Sequence, residues 1–358
     1  MPPDGDPLAY AQSLIQDGRA AEAARFLGAR IAAGRGGVLA RVLWVTALLA
    51  DGATEAALEA ARETASLNPH VPDAMTVLGD ALLAAGHLPA AIGEYQRALR
   101  LDPHTARARA QLGVAWLEAG EAERALEQFG MLDPTPELAA LIARADTIRT
   151  LRRSDSGYVR HLFDQFSADY DARMRGQLGY QAPEVLRGLA DLVMPGARDL
   201  AILDLGCGTG LGGAAFADLA TAIDGIDLSP QMIAKARARG LYRNLSVADI
   251  ETALAREDEA YDLILAADTL VYLGDLTAVF QGAASRLKPG GFFLFTVERA
   301  DGDGFELGPK RRWRHAEGYL RKCAAESGFD IAGLVAASPR SEANVPVDGL
   351  AVALTRPG

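Results

Sequence analysis

Residues 202–210 read Ile-Leu-Asp-Leu-Gly-Cys-Gly-Thr-Gly, and Asp227 follows at the end of the next apolar run, Ala222 to Asp227. Ile202 to Leu205 have the apolar character of a buried strand. Gly206, Gly208 and Gly210 then let the backbone turn sharply and approach a ligand without Cβ clashes. A second strand ending on a carboxylate belongs beside the first. In an open α/β sheet the carboxyl ends of the strands face the ligand crevice, where Asp227 can accept both hydroxyl hydrogens of a ribose. The pattern restricts this half of the chain to a doubly wound sheet that binds a nucleoside-containing cofactor.

The glycines alone leave the cofactor open, because Gly208-x-Gly210-x-x-Gly213 also satisfies the dinucleotide pattern of nicotinamide and flavin enzymes. Asp204 argues for a different ligand. A carboxylate just before the loop suits a cationic amino-acid end and offers nothing to a pyrophosphate. The run Leu203 to Gly210 resembles the first motif of class I S-adenosylmethionine-dependent methyltransferases. Later segments fit that resemblance in order. Leu245 to Ile250 is similar to the third strand with its acidic tip, and Tyr261 to Asp268 to the fourth strand and its exit. Leu287-Lys288-Pro289-Gly290-Gly291 is a turn feeding a fifth strand over 292–297. A helix over 316–328 and a hairpin from 331–337 and 349–355 complete the expected seven-stranded, Rossmann-like sheet.

The resemblance implies S-adenosyl-L-methionine as cofactor and assigns its contacts. Gly206, Cys207, Gly208 and Gly210 hold the methionine end with Asp204 in support, and Asp227 takes the ribose hydroxyls. Met232 packs on the adenine and Asp249 takes its amino group, with Leu228 and Ile250 as further cofactor-binding residues. A lid over about 157–175 offers Phe163 and Tyr170, with Tyr180 beyond it, as cofactor or substrate contacts. The methyl acceptor implied is a small or carrier-bound molecule. If it must lose a proton, the candidate bases are Asp268, His161 and His315, with Tyr272 nearby. The one dense basic cluster, Lys310-Arg311-Arg312-Trp313-Arg314, makes an anionic acceptor conceivable beside the plain reading of a solvated face. The Asn-Pro-Pro-Tyr motif of amide-nitrogen methylation is absent.

The amino-terminal part is a different kind of sequence. Ala23, Ala57, Ala91 and Ala125 are spaced by 34 residues, as are Leu14, Leu48, Leu82 and Trp116, and Leu27, Ala61, Tyr95 and Phe129. Gly79 and Gly113 share the period, as do Pro69 and Pro103. This is the pattern of tetratricopeptide (TPR) repeats, helical hairpins whose stacking builds a groove. Four units follow, at about 4–37, 38–71, 72–105 and 106–139, then a helix over 136–153. The expected domains are therefore an all-α repeat solenoid over 1–153 and a methyltransferase domain over 154–358, joined at Ser154-Asp155-Ser156-Gly157. The groove serves a protein partner or self-association. A repeat adaptor that binds the cofactor without turnover, and a protein methyltransferase with a repeat-recruited substrate, are the alternatives.

A net charge of -11 opposes binding to nucleic acid by bulk charge. No apolar run reaches the ~20 residues of a membrane span, and the start Met-Pro-Pro-Asp-Gly lacks the marks of a signal peptide. The two cysteines have no metal-binding spacing. A cytoplasmic protein without a metal is expected.

Overall fold

The computed structural model describes residues 6–166, 171, 179–256, 260–308, 311–342 and 345–358. The chain divides between Thr150 and Leu151 into two units.

The first unit consists of helical hairpins: α1 (Pro7–Gln16), α2 (Ala20–Ala32), α3 (Val38–Ala50), α4 (Thr54–Leu67), α5 (Pro72–Ala84), α6 (Leu88–Leu101), α7 (Ala106–Glu118), α8 (Ala122–Phe129) and α9 (Pro136–Thr150). Each of the first four pairs falls within one 34-residue unit. A periodic feature not singled out above sets the turns. Gly18, Gly52, Gly86 and Gly120 all adopt positive φ, between +69° and +83°, just after the first helix of each pair. The fit of the paired helices follows a size exchange. Gly79 lies under Tyr95 and Gly113 under Phe129, each so closely that an added Cβ would enter the ring. At the equivalent positions Val45 shares a core cluster with Ala61, and Ala11 with Leu27. The two departures from the repeat pattern at Val45 and Ala61 therefore offset one another in volume.

The second unit is a sheet with helices on both faces. Its strands are β1 (Leu200–Leu205), β2 (Ala220–Asp227), β3 (Asn244–Val247), β4 (Tyr261–Ala266), β5 (Leu287–Arg299), β6 (Phe305–Leu307), β7 (Trp313–His315), β8 (Asp330–Ala337), β9 (Ser341–Glu342), β10 (Val345–Pro346) and β11 (Gly349–Thr355). The main path runs β3-β2-β1-β4-β5-β11-β8, with β11 antiparallel to both neighbours. These are the seven strands expected. The described helices are α10 (Ser156–Phe166), α11 (Ala182–Val193), α12 (Leu211–Phe216), α13 (Pro230–Ala238), α14 (Ile250–Leu254), α15 (Thr277–Arg286) and α16 (Glu317–Glu326).

Alternation along the strands sorts the core into two layers. Leu203, Leu205, Ile264, Phe293 and Phe295 share one cluster with Phe280 of α15 and Leu320 of α16. Phe280 meets Phe293 and Phe295 edge-on, with centroids 5.9 and 5.4 Å away, and such pairs each add about 0.5–1.5 kcal/mol beyond burial. Ile202, Leu263, Leu265 and Leu294 belong to the other layer with Leu186 and Leu189 of α11. The segment after β5 forms the β6–β7 hairpin. Phe305 packs on Trp313 with centroids 5.6 Å apart, and β7 extends the sheet beside the end of β5. Between β1 and β4 the strand order reverses, which places a ligand crevice at their carboxyl ends. No described helix is long and apolar enough to cross a membrane.

Candidate cofactor site at the strand tips

The loop from β1 to α12 holds three left-handed residues in five, Gly206 at φ +66°, Gly208 at +54° and Gly210 at +92°. Gly206 is forced by packing as well, since a Cβ there would collide with the Thr269 side chain. Gly208 faces open space, with nothing within 4 Å of where a Cβ would stand. A ligand can therefore approach the backbone at this point. The Gly208 N–H donates to Oδ2 of Asp227 at 2.9 Å, and the Ser229 N–H donates to Oδ1 at 2.8 Å. Glycine loop and acidic strand tip thus form one assembly. Burial pushes the Asp227 carboxyl up to about 6, against the pull of these two donors, and Asp164 adds to the rise.

Asp204 takes a different position from the one expected. It is 1% exposed, and its Oδ2 accepts from Gly213 N–H at 3.1 Å and from the Tyr242 hydroxyl at 2.7 Å. The carboxylate is turned beneath α12, so it fixes the loop from below rather than meeting a cationic ligand end. Burial pushes it up to about 6 as well. Tyr242, which sequence reasoning missed, also accounts for Gly213: a Cβ there would run into the tyrosine hydroxyl. The third glycine of the apparent dinucleotide pattern is thus a packing requirement of Tyr242. Cys207 is buried with Ile233 and Ala236, and its thiol is pushed upward.

Beyond β2, Ser229 caps α13 by accepting the Met232 N–H at 3.0 Å. Met232, expected against an adenine, is 0% exposed and enclosed in the core, which leaves it no surface for a ligand. Leu228 is half-buried in a cluster with Val159 and Phe163 of α10 and Tyr272. The Phe163 ring meets Tyr272 edge-on at 5.5 Å. Asp164, on the same helix, accepts from the Ser229 hydroxyl at 2.5 Å, so the lid helix is fastened to the segment that carries Asp227. Asp171 accepts from the Thr209 hydroxyl at 2.5 Å and pairs with Arg239, which fastens the lid to the glycine loop too. Tyr170 lies outside the described residues. Tyr180 donates to the Ala267 carbonyl at 3.3 Å.

At the end of β3, Asp249 caps α14, accepting from the Glu251 and Thr252 N–H groups at 3.0 and 3.4 Å. Ile250, the first residue of α14, is half-buried. The Ala248 N–H donates to the Asp227 carbonyl at 3.0 Å, which sets the two acidic tips side by side.

The candidate bases fare unequally. Asp268, leaving β4 at φ +55°, donates its N–H to Thr296 Oγ1 at 2.8 Å, and its carboxylate is paired with Arg340. Arg340 is 1% exposed and also pairs with Glu298 at the end of β5. To serve as a base, Asp268 would have to release this pair. His315 is a correction. It is 0% exposed in β7, with Nε2 3.0 Å from the Gly274 carbonyl, and burial lowers it to about 4. It is a neutral core histidine, neither a catalytic group nor a surface one. His161 sits half-buried on α10, the helix that carries Phe163. Of the basic cluster, Lys310 lies outside the described residues. Arg312 and Arg314 approach Glu298 at 3.9 and 3.6 Å, so they balance an acid at the end of β5.

A separate cavity of about 340 Å³ lies along β1–β3, lined by Leu203, Asp224, Asn244, Tyr261 and Arg286 among others. Several of its polar groups are already engaged. Asp224 accepts from Arg243, Asn244 and Tyr261, and Arg286 donates to the Ala253 carbonyl. Among the described residues no group of histidine, cysteine and carboxylate side chains could hold a metal ion.

A methyltransferase-domain family model matches residues 202–291, and a tetratricopeptide-repeat model matches 42–104 and 76–137. A ubiquinone biosynthesis O-methyltransferase of Xanthomonas campestris pv. campestris (strain B100) is 35% identical over 115 residues, which are 31% of this chain and 47% of the relative. The chain thus spans about half the length of the curated relatives it matches. Among solved structures, magnesium protoporphyrin IX methyltransferase of Synechocystis PCC 6803 with bound SAM aligns over 56% of this chain and 96% of its own, at 19% identity and a TM-score of 0.44. The 1,6-didemethyltoxoflavin-N1-methyltransferase of Burkholderia thailandensis aligns over 55% and 88%, at 17% identity and a TM-score of 0.44. The chain carries tetratricopeptide repeats in its amino-terminal unit and a methyltransferase domain in its carboxyl-terminal unit.

Proposed function

We propose that the protein transfers a methyl group from S-adenosyl-L-methionine to a small-molecule or carrier-bound acceptor. The observation that carries this reading is the joint assembly of Gly208 and Asp227 at the strand tips, inside the matched methyltransferase segment. The open space at Gly208 fits a ligand pressed against the loop backbone, and Asp227 keeps lone pairs for the hydroxyls of a ribose. Asp249 stands in line for the adenine amino group, Ile250 beside it, and half-buried Leu228 for the face of the base. Asp204 acts through the loop. When bound, the cofactor supplies an already activated sulfonium methyl group. The chain then has to orient the acceptor in line and exclude water, which is the work suited to the lid, fastened through Asp164 of α10 and through Asp171. A general base adds ~10²–10⁴-fold only where the acceptor must be deprotonated. Here His161, or Asp268 once freed from Arg340, is the candidate.

We assign residues 1–153 to a repeat domain for partner binding or self-association, and 154–358 to the transferase domain. The matches to both models support this, while the compact units divide slightly earlier, between Thr150 and Leu151, so that residues 151–153 pack with the second unit. The test is turnover of methyl-labelled S-adenosylmethionine in the presence of a cell extract. S-adenosylhomocysteine accumulation with label in the small-molecule fraction is expected. Label in protein would make the repeats a substrate recruiter. Cofactor bound without any turnover would leave a repeat adaptor in place of an enzyme.

A further inference from the structure

The segment that follows the last repeat helix ends in an arginine with no role assigned above. Helix α9 stops at Thr150, and residues 152–154 then run alongside the loop after β4. Gly274 and Asp275 donate their N–H groups to the Arg152 carbonyl at 2.8 and 3.0 Å, and the Ser154 N–H donates to the Tyr272 carbonyl at 2.8 Å. Arg153 itself bridges Leu273, so its backbone is held on both sides. From this fixed base its side chain, 22% exposed, crosses to α14. Nη1 lies 3.3 Å from Asp249 Oδ1, Nη2 donates to Asp249 Oδ2, and Nη1 also donates to Glu251.

The pairing uses the oxygens of Asp249 unequally. Oδ1 accepts from Arg153 and from the Glu251 and Thr252 N–H groups, whereas Oδ2 accepts from Arg153 alone among these donors. A carboxylate has about four lone-pair sites. Oδ2 therefore keeps acceptor capacity, at a strand tip beside Asp227. The fork of a guanidinium fixes the plane of the carboxylate it grips, which a point charge cannot do.

We infer that Arg153 is a positioning residue of the adenosine subsite, holding Asp249 so that its free oxygen lobe meets the amino group of adenine. This rests on the cofactor reading proposed above. An exposed ion pair typically contributes little. The three backbone hydrogen bonds beneath Arg153 and its double grip on Asp249 and Glu251 distinguish this one. A purine that carries a carbonyl in place of the amino group would bring two acceptors together, so the arrangement also discriminates between bases.

The test uses the full chain, with S-adenosylhomocysteine and S-inosylhomocysteine titrated into wild type, Arg153→Ala, Arg153→Lys and Asp249→Asn. Thermal unfolding checks that each variant is folded. Wild type is expected to prefer the adenosyl ligand. Asp249→Asn should lose roughly tenfold or more in affinity for it, the scale of one hydrogen bond to a charged group. Arg153→Ala should show a similar loss and a narrowed adenosyl-to-inosyl ratio. Arg153→Lys should recover part of the affinity and little of the ratio. Equal weakening of both ligands in Arg153→Ala would leave the residue a purely structural role and overturn the inference. So would unchanged binding in both Arg153 variants while Asp249→Asn loses affinity. If Asp249→Asn binds like wild type, the adenine assignment falls and the cofactor reading stands. If wild type binds neither ligand, the cofactor reading itself falls.

Discussion

Asp204→Asn is a direct probe of the strain stored under the glycine loop. The native carboxyl is 1% exposed and pushed up to about 6 from an ordinary 3.8. Because the folded-state value is raised, the native state holds the proton more tightly than the unfolded chain between those values. The stability this contributes is fully present below pH 3.8 and is lost as pH rises through about 6. A shift of about 2 units corresponds to ~3 kcal/mol. Asparagine has no such titration and still offers one oxygen to Gly213 and Tyr242. The stability difference between variant and wild type should therefore move by ~3 kcal/mol in favour of the variant from about pH 4 to 7.5. Repulsion from Asp227 is part of that rise and is removed together with the Asp204 charge. The readout is supplied by the chain, whose two cysteines, Cys207 and Cys323, are both buried in the second unit. Urea unfolding followed by pulse labelling with a thiol reagent reactive below pH 5 reports that unit alone. A difference that is flat with pH, or that moves against the variant as pH rises, would refute the reasoning.

Other outcomes follow from the same structure. Arg340→Met should cost ~3–5 kcal/mol in urea unfolding by leaving Asp268 and Glu298 buried without their shared cation. Adding Asp268→Asn and Glu298→Gln should return most of that loss. Nuclear magnetic resonance titration should find His315 neutral down to about pH 5, because burial lowers it to about 4. A lowered histidine contributes stability that is present above pH 6.5 and is lost as pH falls towards 4. Gly113→Ala should destabilise the repeat unit by ~1–3 kcal/mol, seen as an earlier loss of helical signal on heating, through collision with Phe129. Phe129→Leu in the same chain should recover part of the loss.

The seven strands of the main path and the repeat boundaries were legible because each is written in local periodicity: alternation or apolar runs for strands, a 34-residue recurrence for hairpins, glycines for turns. The turn glycines Gly18, Gly52, Gly86 and Gly120 carried the same period in plain view. What was not legible is which way side chains point once distant segments meet. Asp204 was expected to face a ligand, but Tyr242, 38 residues on, draws it underneath. Asp268 was expected to be a base, but Arg340, 72 residues on, pairs with it. Arg153 reads locally as the end of a helix, and its partner lies 96 residues away. Such pairs leave no local pattern. His315 and Met232 failed for a simpler reason, since enclosure depends on every element packed around a residue. His315 sits in a basic stretch that looks exposed, but β5, the Gly274 carbonyl and Tyr319 of α16 enclose it together with the β6–β7 hairpin.

The most direct measurement is calorimetric titration of the full chain with S-adenosylmethionine, S-adenosylhomocysteine and NAD, repeated on Asp227→Ala. Two hydrogen bonds to a charged group together amount to roughly a hundredfold or more in affinity. Micromolar binding of both sulfur nucleosides, no binding of NAD, and a loss of that size in the variant are the predicted results. Binding of NAD in their place, or an Asp227→Ala variant that binds the sulfur nucleosides as tightly as wild type, would contradict the assignment of this site.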